Sequence, residues 1–294
     1  MKFLSIGECM LELSPRGDGM FAQGFAGDTF NTAWYVAQLA APGIETLYLT
    51  AVGDDLPSKQ MTQFMQASGI TPLVTVRRNL SVGLYMIVLN AGERSFLYWR
   101  DCSAARTLAD DLGELPLQAG DVAYFSGITL AILPQASRQK LLDTLGASKA
   151  RGAKIVFDPN LRPRLWANID EMRNWVMRGA SIADICLPSF EDEAAFFGDN
   201  TPEDTGSRYQ QNGSILVVVK NGRDPIVIVE QGSMAHIDVE PVSGIVDTTA
   251  AGDSFNAQFC SSYFSGSNTG EAATTAATLA CKVISQPGAL VDLS

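Results

Sequence analysis

TLYLTAVG, residues 46–53, runs almost directly into SKQMTQFMQASG, residues 58–69, and the join decides how the rest of the chain folds. The first run is apolar and β-branched or aromatic, and it ends in Gly, as strands do where they meet a loop. The second carries a helical pattern. Outward from this pair the same alternation recurs. Strand-like runs stand at FLSIG (3–7), GLYMIVLN (83–90), DVAYFSG (121–127), KIVFDPN (154–160) and ICLPS (185–189), with helical patterns at 29–40, 134–152 and 172–180. Such alternation predicts an α/β fold in three layers, α/β/α, with a mainly parallel central sheet, helices on both faces and ligands at the carboxyl ends of the strands. The late runs at 215–222, 225–232 and 234–240 are separated only by short turns, which predicts antiparallel neighbours near one edge. Segments 10–25 and 82–101 read as short exposed strands forming a small flap, or lid, on a single domain spanning 1–294.

Composition narrows the function. Hydrophobic residues make up 46% of the 294 and charged residues 18%, and no apolar stretch is long enough to span a bilayer, so a soluble protein without a membrane partner is expected. Glu8 and Glu12 interrupt MKFLSIGECMLEL before a signal-peptide core forms, so it reads as a first strand. Five scattered cysteines without CxxC spacing fit a reducing cytoplasm and no zinc site. A net charge of −11 argues against nucleic acid as a partner and leaves an anionic small substrate open. The one histidine, His236, lies in an alternating stretch and reads as a surface strand residue, which excludes histidine triads and multi-histidine metal sites. Acids, arginines and backbone amides must carry the chemistry.

DTTAAGDSFNAQF (247–259) offers them: a strand-like approach, then a helix with Asp253 in its first turn. Ala250, Ala251 and Gly252 leave amides uncovered at a helix amino terminus, a place that binds anions and stabilises an ionised Asp. A base beside an anion site suits deprotonation of a hydroxyl attacking phosphorus. As a bare pattern the stretch equally fits a capped helix with no catalytic role. The surrounding letters resemble the carboxyl-terminal signature of the PfkB (ribokinase-like) carbohydrate kinases, D-T-x-G-A-G-D, with Ala250 where Gly is commoner. The resemblance implies a ribokinase-like sandwich, Asp253 as catalytic base, and an anion hole from the amides of Ala250, Ala251 and Gly252. FAGDTFNTAWYVAQLA (25–40) resembles the family's amino-terminal motif with Ala26 in place of its first Gly, which implies that Gly27, Asp28 and Asn31 contact sugar hydroxyls. Neither G-x-x-x-x-G-K-S/T nor G-x-G-x-x-G after a strand is present, which removes a nicotinamide dehydrogenase from consideration. By the resemblance VVVKNGRD (217–224) lies near ATP, with Lys220 and Gly222 approaching its phosphates and adenine between this run and 271–285; a solvated turn is the alternative for Lys220.

Two arginines bear on the substrate. Arg100 closes the flap run in FLYWRDCSAAR (96–106), and Arg162 lies in FDPNLRPRLW (157–166). A guanidinium fork matches a carboxylate, each charged contact contributing about 1.5–3 kcal/mol. GECMLEL, YWR, DPNLRPRLW and LPSFEDE resemble the 2-keto-3-deoxygluconate kinase branch of the family along essentially the whole chain. That implies Tyr85, Tyr98, Arg100 and Arg162 around a keto-acid sugar phosphorylated at its terminal hydroxyl. Tyr98 and Trp99 as plain strand aromatics, and Arg162 in a surface ion pair, remain open. Where many members carry N-x-x-E near the metal, this chain reads SFED (189–192), so Glu191, Asp192, Glu193 and Asp247 are candidates for ordering its outer shell. The resemblance implies ATP and Mg2+, leaves room for a monovalent cation, and suggests a homo-oligomer, dimer or larger, paired through the flap. The rivals are a family member acting on fructose, ribose or a nucleoside, and a catalytically silent sugar-binding regulator on the same fold.

Overall fold

The computed structural model describes residues 1–90, 93–242 and 244–293. In chain order the first half contains β1 (Lys2–Ile6), β2 (Met10–Gly17), β3 (Met20–Ala26), α1 (Asp28–Leu39), β4 (Glu45–Gly53), α2 (Leu56–Ala67), β5 (Thr71–Arg77), β6 (Gly83–Asn90), β7 (Glu93–Trp99), β8 (Val122–Ser126), α3 (Gly127–Ile132) and α4 (Gln135–Ala150). There follow β9 (Lys154–Asp158), α5 (Ile169–Ile182), β10 (Ile185–Cys186), α6 (Phe190–Phe197), α7 (Pro202–Gln211), β11 (Leu216–Val219), β12 (Ile226–Glu230), β13 (Ser233–Ile237), α8 (Ala251–Phe264) and α9 (Thr269–Ile284).

Nine strands form one sheet in the order β13-β12-β11-β10-β9-β8-β1-β4-β5. From β11 to β5 every neighbour is parallel, while β11–β12 and β12–β13 are antiparallel, as their short connections require. The central strands are apolar throughout because successive side chains enter opposite layers. In β8, Val122 and Tyr124 pack with Phe255 and Phe259 of α8 and Val283 of α9, whereas Ala123 and Phe125 join Leu141 of α4 and Trp175 of α5. β9 and β11 divide the same way: Ile155, Phe157, Val217 and Val219 face one layer, Val156, Leu216 and Val218 the other.

Four strands make a second sheet in the order β3-β2-β6-β7. Its two hairpins are antiparallel, and they join through a parallel β2–β6 contact that brings 10–13 beside 83–86. These strands fall in the segments expected to form a flap, of which residues 91 and 92 lie outside the described ones.

Three local expectations need correction. The approach to Asp253 is a loop, not a strand: the Val246 and Asp247 N–H groups both bond the Ile284 carbonyl at the end of α9 (2.8 and 3.1 Å), so no sheet neighbour is available to them. The last strand stops at Ile237 rather than residue 240. Strand β5 and helices α3, α6 and α7 carry too little periodicity to stand out in the sequence; β5 is a half-exposed edge strand and α3 has only six residues.

Candidate active site

The parallel strands end at one rim, and the chemistry-bearing side chains sit just past those ends. Asp158 is the last residue of β9, Lys220 follows β11, and Ser189 follows β10 across Pro188. Helices α1 and α8 begin at the same rim. Together they line a cleft of about 440 Å³ that includes Gly27, Asp28, Asn31, Tyr85, Tyr98, Arg100, Asp158, Asn160, Arg162, Ser189, Asp192, Lys220 and the run Thr248 to Asp253. That volume falls within the range of small-molecule sites. The amino terminus of α1 can approach β1 this closely only because Gly27 is a glycine: a Cβ there would stand 2.2 Å from the Glu8 carbonyl oxygen.

Asp253 lies at the floor, 9% exposed. Asn31 of α1 donates to its Oδ2 (2.8 Å), and the Asn31 Oδ1 accepts from the Gly27 N–H (3.2 Å), so the two helix starts are stitched together. No side chain caps α8, whose first turn follows Ala250 at φ 60°. Ala251 N–H turns back to Thr248 O (3.3 Å) and Ser254 N–H to Ala250 O (2.9 Å); between them lie the N–H groups of Gly252 and Asp253. Burial pushes the Asp253 carboxyl up to about 8, with the Asp28 and Asp158 charges adding to the rise, while Asn31 and Lys220 oppose it. The expectation that the helix start would keep Asp253 ionised is therefore wrong for the free protein: desolvation and two like charges outweigh half a helix charge.

Asp28 has its own partners: Ser126 Oγ (2.5 Å) and Asn160 Nδ2 (3.1 Å) both donate to Oδ2, and burial still raises its carboxyl. Lys220 Nζ donates to Asn256 Oδ1 (3.1 Å), stands 3.6 Å from Asp158, and would lie 3.6 Å from a Cβ placed on Gly252. Asn256 in turn donates to Asp158 Oδ2 (2.7 Å) and to the Tyr124 hydroxyl (3.0 Å). The ammonium is thus anchored beside the first turn of α8.

Elsewhere on the lining, Arg162 donates from Nη1 to its neighbour's Leu161 carbonyl (2.6 Å) and to Asp192 (3.4 Å) and is half exposed. Arg100 is buried in an ion pair with Glu8, with its guanidinium carbon 5.8 Å from the Tyr98 ring centre. Tyr85 donates its hydroxyl to Glu12 and stacks obliquely near Tyr98 (5.9 Å between centres).

Of the sequence candidates, four lie elsewhere. Gly222 is in the turn after β11 and does not line the cleft. Glu191 is exposed at the start of α6. Glu193 points into the protein, accepting from Arg208 (2.7 Å) and from the Tyr209 hydroxyl (2.9 Å) of α7, because successive positions of α6 point about 100° apart. Asp247 accepts from the N–H groups of Thr249 (3.0 Å) and Gly288 (2.7 Å), which ties its carboxylate to loop structure. Asp192 alone of the acidic candidates after Ser189 faces the cleft. Sequence reasoning missed Glu8, Ser126, Asp158, Asn160 and Asn256. The signal for Asp158 and Asn160 was present, since DPN at a strand end puts polar groups where ligands bind, and Asn160 adopts φ 35° there.

The model for pfkB family carbohydrate kinase matches residues 2–294. The chain belongs to that family. This kinase is 38% identical over 300 residues to the 2-dehydro-3-deoxygluconokinase of Haemophilus influenzae, with 99% of this chain and 96% of that protein covered. It is 39% identical to the enzyme of the same name from Dickeya dadantii (98% and 96% covered) and 37% identical to that of Escherichia coli K12 (99% and 97%). Among solved structures, a PfkB protein from Polaromonas sp. JS666 superposes with a TM-score of 0.87 at 26% identity, covering 97% of this chain and 96% of that one. Aminoimidazole riboside kinase from Salmonella enterica, complexed with aminoimidazole riboside and an ATP analog, shares the fold (TM-score 0.84, 22% identity, 98% and 94% covered).

Proposed function

We propose that this kinase transfers the γ-phosphoryl group of ATP to the terminal hydroxyl of 2-keto-3-deoxygluconate, giving its 6-phosphate. The observation that carries the reading is a single cleft lined both by a buried carboxyl, Asp253, at an uncapped helix start and by two arginines, Arg100 and Arg162. Near-full-length identity of 37–39% to three 2-dehydro-3-deoxygluconokinases supports the choice of acid sugar. Asp253 takes the hydroxyl proton as the new O–P bond forms and the bond to ADP breaks; a base titrating near 8 is well matched to this step. Gly252 and Asp253 present N–H groups to the transferring group, the expected Ala251 N–H being taken by Thr248 O, and Lys220 draws its charge. Asn31, Asp28 and Gly27 orient the sugar, Tyr85 and Tyr98 wall it, and the arginines hold its carboxylate.

Among the described residues no three His, Cys, Asp or Glu side chains group into a metal cage. The cleft carboxylates of Asp192 and Asp158 fit Mg2+ carried on a nucleotide, since Mg2+ keeps several waters and takes only one or two protein carboxylates. Asp192 and Asp158, both lining the cleft, would hold it. When bound, Mg2+ offsets phosphate charge.

Replacing Asp253 by Asn lowers turnover by about 10³-fold or more while leaving ATP binding by calorimetry largely intact; turnover within tenfold of the parent refutes the base assignment. Replacing Arg162 by Ala raises KM for the keto-acid sugar about tenfold or more and leaves KM for a neutral ketose nearly unchanged. Equal effects on both sugars refute carboxylate recognition.

A further inference from the structure

Beside the cleft one buried polar cluster joins Glu8, Arg100 and Ser103: the Glu8 carboxylate meets Nη2 of Arg100 and takes a hydrogen bond from the Ser103 hydroxyl. Burying a charged pair is costly unless its partners are held in place, so such a cluster at the lining of a cleft points to a functional constraint. The Glu8 side chain is 0% exposed and that of Arg100 9%, and they form an ion pair. Glu8 lies in the link between β1 of the large sheet and β2 of the small one, two residues from each, whereas Arg100 directly follows β7 of the small sheet. The pair therefore ties the end of β7 to the link that joins the two sheets. Gly83, the first residue of β6, makes room for it: a Cβ there would stand 2.7 Å from Glu8 Oε1 and 3.3 Å from Arg100 Cβ.

We propose that Glu8 is a positioning residue that holds the Arg100 guanidinium at the sugar end of the cleft and thereby sets the preference for an acid sugar over a neutral one. The proposal rests on the reading in which Arg100 takes the substrate carboxylate. Glu8 holds Nη2 of the guanidinium, which fixes the planar fork in direction. A free arginine would lose rotamer entropy on meeting a carboxylate; one already fixed loses less. Glu8 also cancels the Arg100 charge, so affinity depends on where the donors point more than on net charge.

The test compares Glu8→Gln, Arg100→Ala and the double variant, with Gly83→Ala as a route that displaces the pair sterically and leaves both charges in place. Steady-state constants are measured for 2-keto-3-deoxygluconate, for ATP and for residual turnover of fructose, and folding is followed by circular dichroism. Glu8→Gln is expected to raise KM for the keto acid about tenfold, with kcat, the ATP KM and the fructose KM within threefold. The double variant is expected to be no worse than Arg100→Ala alone. If Arg100→Ala raises the keto-acid KM while Glu8→Gln leaves it within twofold, or if the two effects add, the positioning role is overturned and the carboxylate reading stands. An unchanged KM in Arg100→Ala overturns both. Should Glu8→Gln not fold, Gly83→Ala decides: a selective rise in keto-acid KM supports the role, and a folded variant with parental KM overturns it.

Discussion

At the scale of single residues, Asp253 links reactivity and stability with opposite signs. Its carboxyl is raised to about 8 from an ordinary value near 3.8, so in the free protein, on the reading that makes it the base, it starts mostly protonated at neutral pH. Only the ionised form accepts a proton, so kcat/KM is expected to rise about tenfold per pH unit below 8 and to level above it. Asn31 donates to Asp253 and lowers its pKa; Asn31→Ala should move the break in that profile to higher pH, as a rate series between pH 6 and 10 would show. Stability runs the other way. A carboxyl raised on folding favours the native state fully below its unfolded pKa, and that contribution is lost as pH climbs through about 8. Asp253→Asn keeps an acceptor for Asn31 and removes the titration, so at pH 9 its melting temperature should exceed the parent's by roughly 2 °C or more, which fits a site that gives up stability for function. The letters AAGD located this residue, but they could not give its protonation: that depends on Asp28 and Asp158, 225 and 95 positions away in sequence and adjacent only after folding.

Among the elements, the three helix starts at the cleft share one feature. Side chains cap α2 (Asp55), α3 (Ser126), α5 (Asn168), α7 (Thr201) and α9 (Asn268); α4 follows Pro134 uncapped and away from the cleft, and α1, α6 and α8 begin at Gly27, Ser189 and Ala250 without a side-chain cap and open onto it. An uncapped start keeps N–H groups free for ligand, at the expense of local stability. Period and glycine punctuation made α1, α8 and the sheet legible in the sequence. Helix α6 was not legible, and with it went the choice among its acids, because consecutive helical positions point about 100° apart. Glu191 faces solvent, Asp192 the cleft and Glu193 the core. Asp192→Ala should therefore raise the Mg2+ concentration needed for half-maximal activity. Glu193→Ala should leave that requirement unchanged and instead lower stability by about 1–3 kcal/mol in urea titration, because Tyr209 loses the acceptor of its buried hydroxyl. Reversal of the two results would return Glu193 to the metal.

On the scale of the whole molecule, the small sheet has two faces with different occupations. Phe96 and Tyr98 of β7 lie toward the cleft, so Leu97 and Trp99, on the alternate side, point away from it and are 49% and 55% exposed. Met20 and Phe21 at the β2–β3 hairpin are exposed as well. Apolar side chains of this size release roughly 1.5–3 kcal/mol each when fully buried, so contact with a second copy through this face would stabilise the pair, with one such set of side chains buried per copy. The same sheet carries Tyr85, Tyr98 and, directly after β7, Arg100 to the lining of the cleft, so such a contact would bear on that lining as well. Trp99→Glu, which places a charge on the outer face and leaves Tyr98 in place, is expected to shift sedimentation from dimer or larger toward monomer and, with the sheet less firmly held, to raise KM for the keto acid more than KM for ATP. A parent chain that sediments as a monomer at micromolar concentration removes this argument. A variant that stays assembled shows that the chains meet through another surface.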